Sequence, residues 1–109
     1  MRACRTSASE AAGSRILTIE GLGSPERPHP LQLALATADA VQCGFCTPGM
    51  VMRGVAMAAE GVPAEAQAVS QALCGNLCRC TGYRGIVNAV CEGLERMRLV
   101  KQEGVHDPI

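Results

Sequence analysis

Seven cysteines in 109 residues, four of them in two close pairs, constrain this chain more than any other feature. Cys43 and Cys46 form a C-x-x-C and Cys78 and Cys80 a C-x-C, while Cys74 and Cys91 stand near the second pair and Cys4 is alone near the start. An odd number of thiols cannot all pair as disulfides. Cysteines one or two residues apart also close almost no loop, so bridging them would stabilise little. Two pairs of thiolates are instead suited to gripping a metal centre from two sides. Such thiols must stay reduced until the metal arrives, which favours assembly in the cytoplasm. A staple of this kind is needed: apolar residues reach 48% but aromatics only 2%, with one Phe, one Tyr and no Trp. A core that light in a chain this short seldom stands unaided.

A chain of this length accommodates one compact domain. Ten basic residues balance ten acidic ones, and without a positive surplus a nucleic-acid partner or a basic membrane-surface role is not expected. No apolar stretch approaches the ~20 residues of a membrane-spanning helix, and none follows Met1 to act as a signal peptide.

The segment Arg15-Ile16-Leu17-Thr18-Ile19-Glu20 alternates in part and is β-branched, which predicts a short strand. Gly21, Gly23, Pro25, Pro28 and Pro30 then mark a linker. A lone strand has nowhere to send its backbone hydrogen bonds, so a pairing strand is expected on a missing part of the protein or on another chain. From Leu31 the period becomes helical, with Leu31, Ala34, Leu35 and Ala38 in one stripe that runs to about Val41. Thr47-Pro48 predicts the N-cap and first turn of a second helix, which buries Val51, Gly54, Val55 and Ala58, turns Arg53 and Glu60 to water and stops at Gly61. Pro63 opens a third helix over 64–73, closed by Gly75 and Asn76. A fourth and longer one, from about Ile86, buries Val87, Val90, Leu94 and Met97 and leaves Glu92, Glu95, Arg96 and Arg98 outside. The expectation is an all-α four-helix bundle made of two similar halves, helix–cysteine pair–helix, in a pseudo-two-fold arrangement about one metal centre. Residues 1–29 form the remnant strand and linker, 30–103 the helical domain and 104–109 a tail.

Glycines 44, 49, 75 and 82 flank the proposed ligands, and glycine lets backbone N–H groups approach a bulky inorganic centre. Helix N-termini add partial positive charge there. Spacing alone leaves the metal open: a [2Fe–2S] cluster or one tetrahedral zinc accepts the same four thiolates.

The residues around the cysteines carry a specific likeness. Gln42-Cys43-Gly44-Phe45-Cys46-Thr47-Pro48-Gly49-Met50 and Gly75-Asn76-Leu77-Cys78-Arg79-Cys80-Thr81-Gly82-Tyr83 resemble the iron–sulfur subunit of the xanthine oxidase family of molybdenum hydroxylases. That family includes the small subunit of carbon monoxide dehydrogenase, isoquinoline and nicotinate oxidoreductases and bacterial aldehyde oxidoreductases. The likeness extends back through Thr18-Ile19-Glu20-Gly21-Leu22 and forward through Ile86-Val87. It implies that Cys43, Cys46, Cys78 and Cys80 ligate the [2Fe–2S] cluster nearest molybdenum. It also implies that Gln42 and Cys80 lie against the molybdopterin of a large partner subunit. Electrons would leave one at a time through this cluster toward a second cluster and FAD, on further subunits or a ferredoxin-like chain. No substrate turnover and no catalytic residue are expected on this chain itself. The alternative is a small structural zinc-binding module, or a degenerate product that holds nothing.

In the family a ferredoxin-like domain comes first, with a C-x4-C-x2-C run and one later cysteine. No such run occurs here, and Cys4 stands where that cluster's last ligand would be. The chain is therefore expected to be truncated, split or wrongly started. Of the other residues, Cys74 is expected to be a spare thiol and Cys91 a half-buried structural one. Arg79, between two ligands, offers its backbone to the cluster and its side chain to solvent or a partner, and Arg84 is a surface residue. Met50, Met52 and Met57 recur at helical spacing as packing residues, and His29 and His106 are not metal ligands.

Overall fold

The computed structural model describes residues 2–102, and the tail expected over 104–109, with His106, lies outside them. Helix α1 (Ala8–Ala11) is one turn closed by a capping box: Ser7 Oγ accepts from Glu10 N, and Ser7 N donates to the Glu10 carboxylate. Four longer helices follow, α2 (Pro30–Thr37), α3 (Thr47–Glu60), α4 (Ala66–Ala72) and α5 (Arg84–Gln102). Among the described residues the architecture is all-helical, as expected. No described helix is long and apolar enough to cross a membrane.

The strand expected over 15–20 does not form. Residues 15–18 pair with nothing in a ladder, and Ile19–Gly21 is a 3-10 turn closed by Gly21 N–H to Thr18 O (3.1 Å) and Leu22 N–H to Ile19 O (3.2 Å). With no neighbouring strand, the backbone satisfies itself locally. The β-branched side chain is used differently: Ile19 packs on the helical core, and Leu22 is buried in it. The turn lies against α3.

Each helix begins and ends for a local reason. At the start of α2, His29 is the cap: its Nδ1 accepts from Leu31 N–H (3.2 Å), and its own N–H donates to Gln32 Oε1 (2.9 Å), with Pro30 in the first turn. α2 stops at Thr37, earlier than its apolar stripe suggests, because Asp39 turns left-handed (φ 57); Ala38 is exposed in consequence, not buried. α3 starts with Thr47 already inside the helix and Cys46 as its cap, one residue before the expected cap. It ends where Gly61 takes φ 77 and Val62 N–H closes onto Met57 O (3.0 Å). α5 begins two residues earlier than expected, at Arg84.

α5 is the hub, in contact with α2, α3 and α4. The core is Leu31 and Leu35 from α2, Met50, Val51, Val55 and Met57 from α3, Val69 from α4, and Ile86, Val87, Val90, Leu94 and Met97 from α5. It contains no aromatic ring, so close approach of helices replaces bulk. Leu31 enters a saddle made by two glycines: a Cβ on Gly54 would meet Leu31 Cδ1 at 2.9 Å, and one on Gly93 would meet Leu31 Cδ2 at 2.6 Å and Cα at 3.1 Å. Burying a leucine this completely is worth about 1.5–3 kcal/mol. Arg53 does more than face water: its Nε donates to Ala72 O at the end of α4 (2.9 Å), and its Nη1 pairs with Glu60 (3.1 Å). Met50, Met52 and Met57 pack in or against the core as expected.

Candidate metal centre

The two cysteine pairs lie in the segments that lead into α3 and α5. Cys43-Gly44-Phe45-Cys46 turns through Gly44 at φ 83, a left-handed conformation that glycine adopts without strain. That turn aims Phe45 N–H at Cys43 Sγ (3.5 Å) and leaves Cys46 as the cap of α3. The second pair lies in the loop between α4 and α5, with Cys80 four residues ahead of Arg84. Only the first pair therefore sits at a helix tip. The second is shaped by side chains: Tyr83 Oη accepts from Cys78 N–H (2.7 Å) and donates to Asn76 O (3.2 Å), with Tyr83 itself left-handed at φ 71. Asn76 Nδ2 reaches across to Gly49 O (3.3 Å), tying this loop to the first turn of α3.

Across the two loops the four predicted ligands influence one another's acidity. The Cys43 thiol interacts with that of Cys80, and the Cys46 thiol with that of Cys78. Cys46 and Cys78 are half-buried and pack on the core, whereas Cys43 and Cys80 are exposed, so one pair is deep and the other shallow. Their acidities differ accordingly. Hydrogen bonds from the Thr81 hydroxyl and N–H hold Cys78 at about 7, below its ordinary 9.0. The Phe45 N–H, helped by the Cys80 thiol, also lowers Cys43. Burial, and then the neighbouring Cys78, raise Cys46, and donation to Cys43 raises Cys80.

No three His, Cys, Asp or Glu side chains among the described residues converge on a single metal ion. Two pairs of thiols suit two metal atoms, one pair to each, which is the donor set of a [2Fe–2S] cluster. The residues present fit that group.

Cys4 and Cys74 are exposed, and Cys91 is half-buried on α5, where burial pushes its thiol up. Arg79 and Arg84 are exposed, and so is Gln42. His29 serves as the cap of α2. Sequence reasoning passed over Thr81, Asn76 and the Tyr83 hydroxyl. Their signal was present, since Thr81 lies one turn beyond Cys78 and Tyr83 is the only tyrosine. Also unforeseen, Phe45 is 93% and Leu77 83% exposed, placing two large apolar side chains beside the ligands in full contact with water.

Residues 18–91 match a family model described as a [2Fe-2S] binding domain. Xanthine dehydrogenase of Emericella nidulans is 43% identical over 89 residues, covering 82% of this chain and 6% of the relative. Aldehyde oxidase 1 of Cavia porcellus is 46% identical over 88 residues, covering 80% and 7%. The chain thus spans a small fraction of these relatives' lengths. Among solved structures, quinoline 2-oxidoreductase from Pseudomonas putida 86 superposes with a TM-score of 0.81 at 40% identity, over 91% of this chain and 62% of that one. Aldehyde oxidoreductase from Desulfovibrio gigas gives a TM-score of 0.85 at 36% identity, over 94% and 12%.

Proposed function

The chain belongs to the [2Fe-2S] binding domain family, in the form carried by the molybdenum hydroxylases, and from that premise we propose that it is an electron-transfer unit of such an oxidoreductase. The observation that carries this reading is that Cys43 and Cys46, leading into α3, and Cys78 and Cys80, in the α4–α5 loop, influence one another's acidity within a segment that matches a [2Fe-2S] binding domain. Cys43, Cys46, Cys78 and Cys80 would hold the two irons of the cluster. When bound, the cluster supplies a carrier for single electrons between molybdopterin on a large partner subunit and a second cluster, FAD or an external acceptor. The residues of this chain do the holding and the insulating: the core buries one side of the deep pair, and N–H and O–H donors at Phe45 and Thr81 face the sulfurs.

Docking follows from the shallow side. Gln42 and Cys80 are exposed there and are the residues we place against the molybdopterin. Phe45 and Leu77 form the apolar contact that the large subunit covers, at about 1.5–3 kcal/mol for each side chain fully buried. An FAD subunit and a ferredoxin-like chain are the further partners of this reading. Seven free thiols fit assembly in the cytoplasm, where they stay reduced.

Purified anaerobically, the full chain is expected to be red-brown, with iron and acid-labile sulfide in equal amounts and one reversible one-electron step. Cys43→Ser or Cys78→Ser should abolish the colour, whereas Cys91→Ser should keep it. A colourless, zinc-loaded, redox-silent protein would overturn the proposal. Bleaching by Cys91→Ser as complete as by Cys43→Ser would overturn the ligand assignment.

A further inference from the structure

Two donors from one residue converge on one ligand sulfur. Thr81 N–H lies 3.4 Å from Cys78 Sγ and Thr81 Oγ1 lies 3.3 Å from it. By contrast, Cys43 Sγ receives the Phe45 N–H at 3.5 Å. A threonine hydroxyl has a single proton and rotates to suit its surroundings, so its value as a donor depends on what holds it.

Here it is held. Tyr83 N–H donates to Thr81 Oγ1 (3.2 Å), which makes that oxygen an acceptor on one side and directs its proton to the sulfur on the other. Tyr83 is fixed in turn by its left-handed backbone (φ 71) and by its phenol, which accepts from Cys78 N–H (2.7 Å) and donates to Asn76 O (3.2 Å). Two of these bonds run on through the one hydroxyl, from Tyr83 N–H to Thr81 Oγ1 and from Thr81 O–H to Cys78 Sγ. Donors linked in sequence polarise one another and strengthen the last bond.

We propose that Thr81 is a positioning residue whose oriented hydroxyl raises the reduction potential of the centre through Cys78. This rests on the metal-centre reading above and assigns a tuning role that the ligand set alone does not contain. Adding an electron increases the negative charge on the cluster and its thiolates. A donor aimed at one of those sulfurs stabilises the reduced form more than the oxidised one. Removing the hydroxyl while keeping its shape therefore makes the centre harder to reduce.

The test is an anaerobic redox titration of the cluster-loaded full chain, followed by visible absorption, for the unaltered protein, Thr81→Val and Thr81→Ser. Thr81→Val is expected to reduce the equilibrium constant for reduction about tenfold, or about 59 mV for one electron. Thr81→Ser, which keeps the hydroxyl, should remain close to the unaltered protein. Equal potentials for Thr81→Val and the unaltered protein overturn the proposal, and so does a Thr81→Ser shift as large as that of Thr81→Val. If valine prevents cluster loading, Thr81→Ala against Thr81→Ser decides the matter in the same way. An unaltered chain that takes up no cluster is a different failure, recognised before any titration, and it removes the metal-centre reading itself.

Discussion

Cys78 and Cys46 influence each other, yet their surroundings push their thiols in opposite directions. Thr81 holds Cys78 at about 7 against an ordinary 9.0, while burial raises Cys46. Because the folded-state value of Cys78 is depressed, its thiolate favours the cluster-free fold fully above pH 9.0. That contribution fades as pH falls through about 7 and is gone below it. In cluster-free protein Cys78 should therefore alkylate at neutral pH, and Cys46 only in alkaline solution. Pulsed iodoacetamide labelling with peptide mass spectrometry, from about pH 6 to 10, checks this against the two thiols' ordinary range; superimposed profiles would contradict it. The four candidate ligand cysteines could be picked out from the residues around them. Thr81 and Tyr83 were visible only as residue types, because the bonds they make depend on a left-handed tyrosine backbone.

Helices were legible where period and punctuation agreed. Gly61 ended α3 as its position suggests, and Val87, Val90, Leu94 and Met97 line the buried face of α5. The strand was misread because alternation in 15–20 reports only which side chains can be buried, and a strand also needs a neighbour to bond with. Nor did periodicity reveal why Gly93 is glycine. It belongs to the buried stripe of α5, but the reason is the Leu31 side chain and backbone of α2 pressed onto it. Gly93→Ala should gain about 1 kcal/mol in helix propensity and lose about 1–3 kcal/mol to overpacking. The net effect expected is a melting temperature lower by several degrees, since about 1 kcal/mol corresponds to roughly 4–8 °C in a domain of this size. Adding Leu31→Val should restore part of the loss, because the two positions are in contact. Thermal unfolding followed by circular dichroism measures both; a stabilised Gly93→Ala would mean that the crossing has slack.

Across the whole molecule the core and the metal centre are adjacent but separable. The buried side chains come from α2, α3, α4 and α5, and of the four ligands only Cys46 and Cys78 rest against them. Stripping the cluster with a chelator under reducing conditions should therefore leave the helical signal largely intact. It should lower the melting temperature, since a ligand bound only by the folded state stabilises it. Hydrogen exchange should accelerate in 42–46 and 75–83 while α5 stays protected; global loss of helicity would show instead that the cluster is the core's main support. By itself the sequence determined the helical class and singled out four candidate sulfurs, because residue type, spacing and period are local properties of a chain; the kind of centre came from the family likeness of the residues around them. Only the tertiary structure decided that Phe45 and Leu77 stand out in water and that Thr81 is turned onto Cys78. Those are relations between segments far apart in sequence, or between atoms whose directions are set when the loops close over the packed helices.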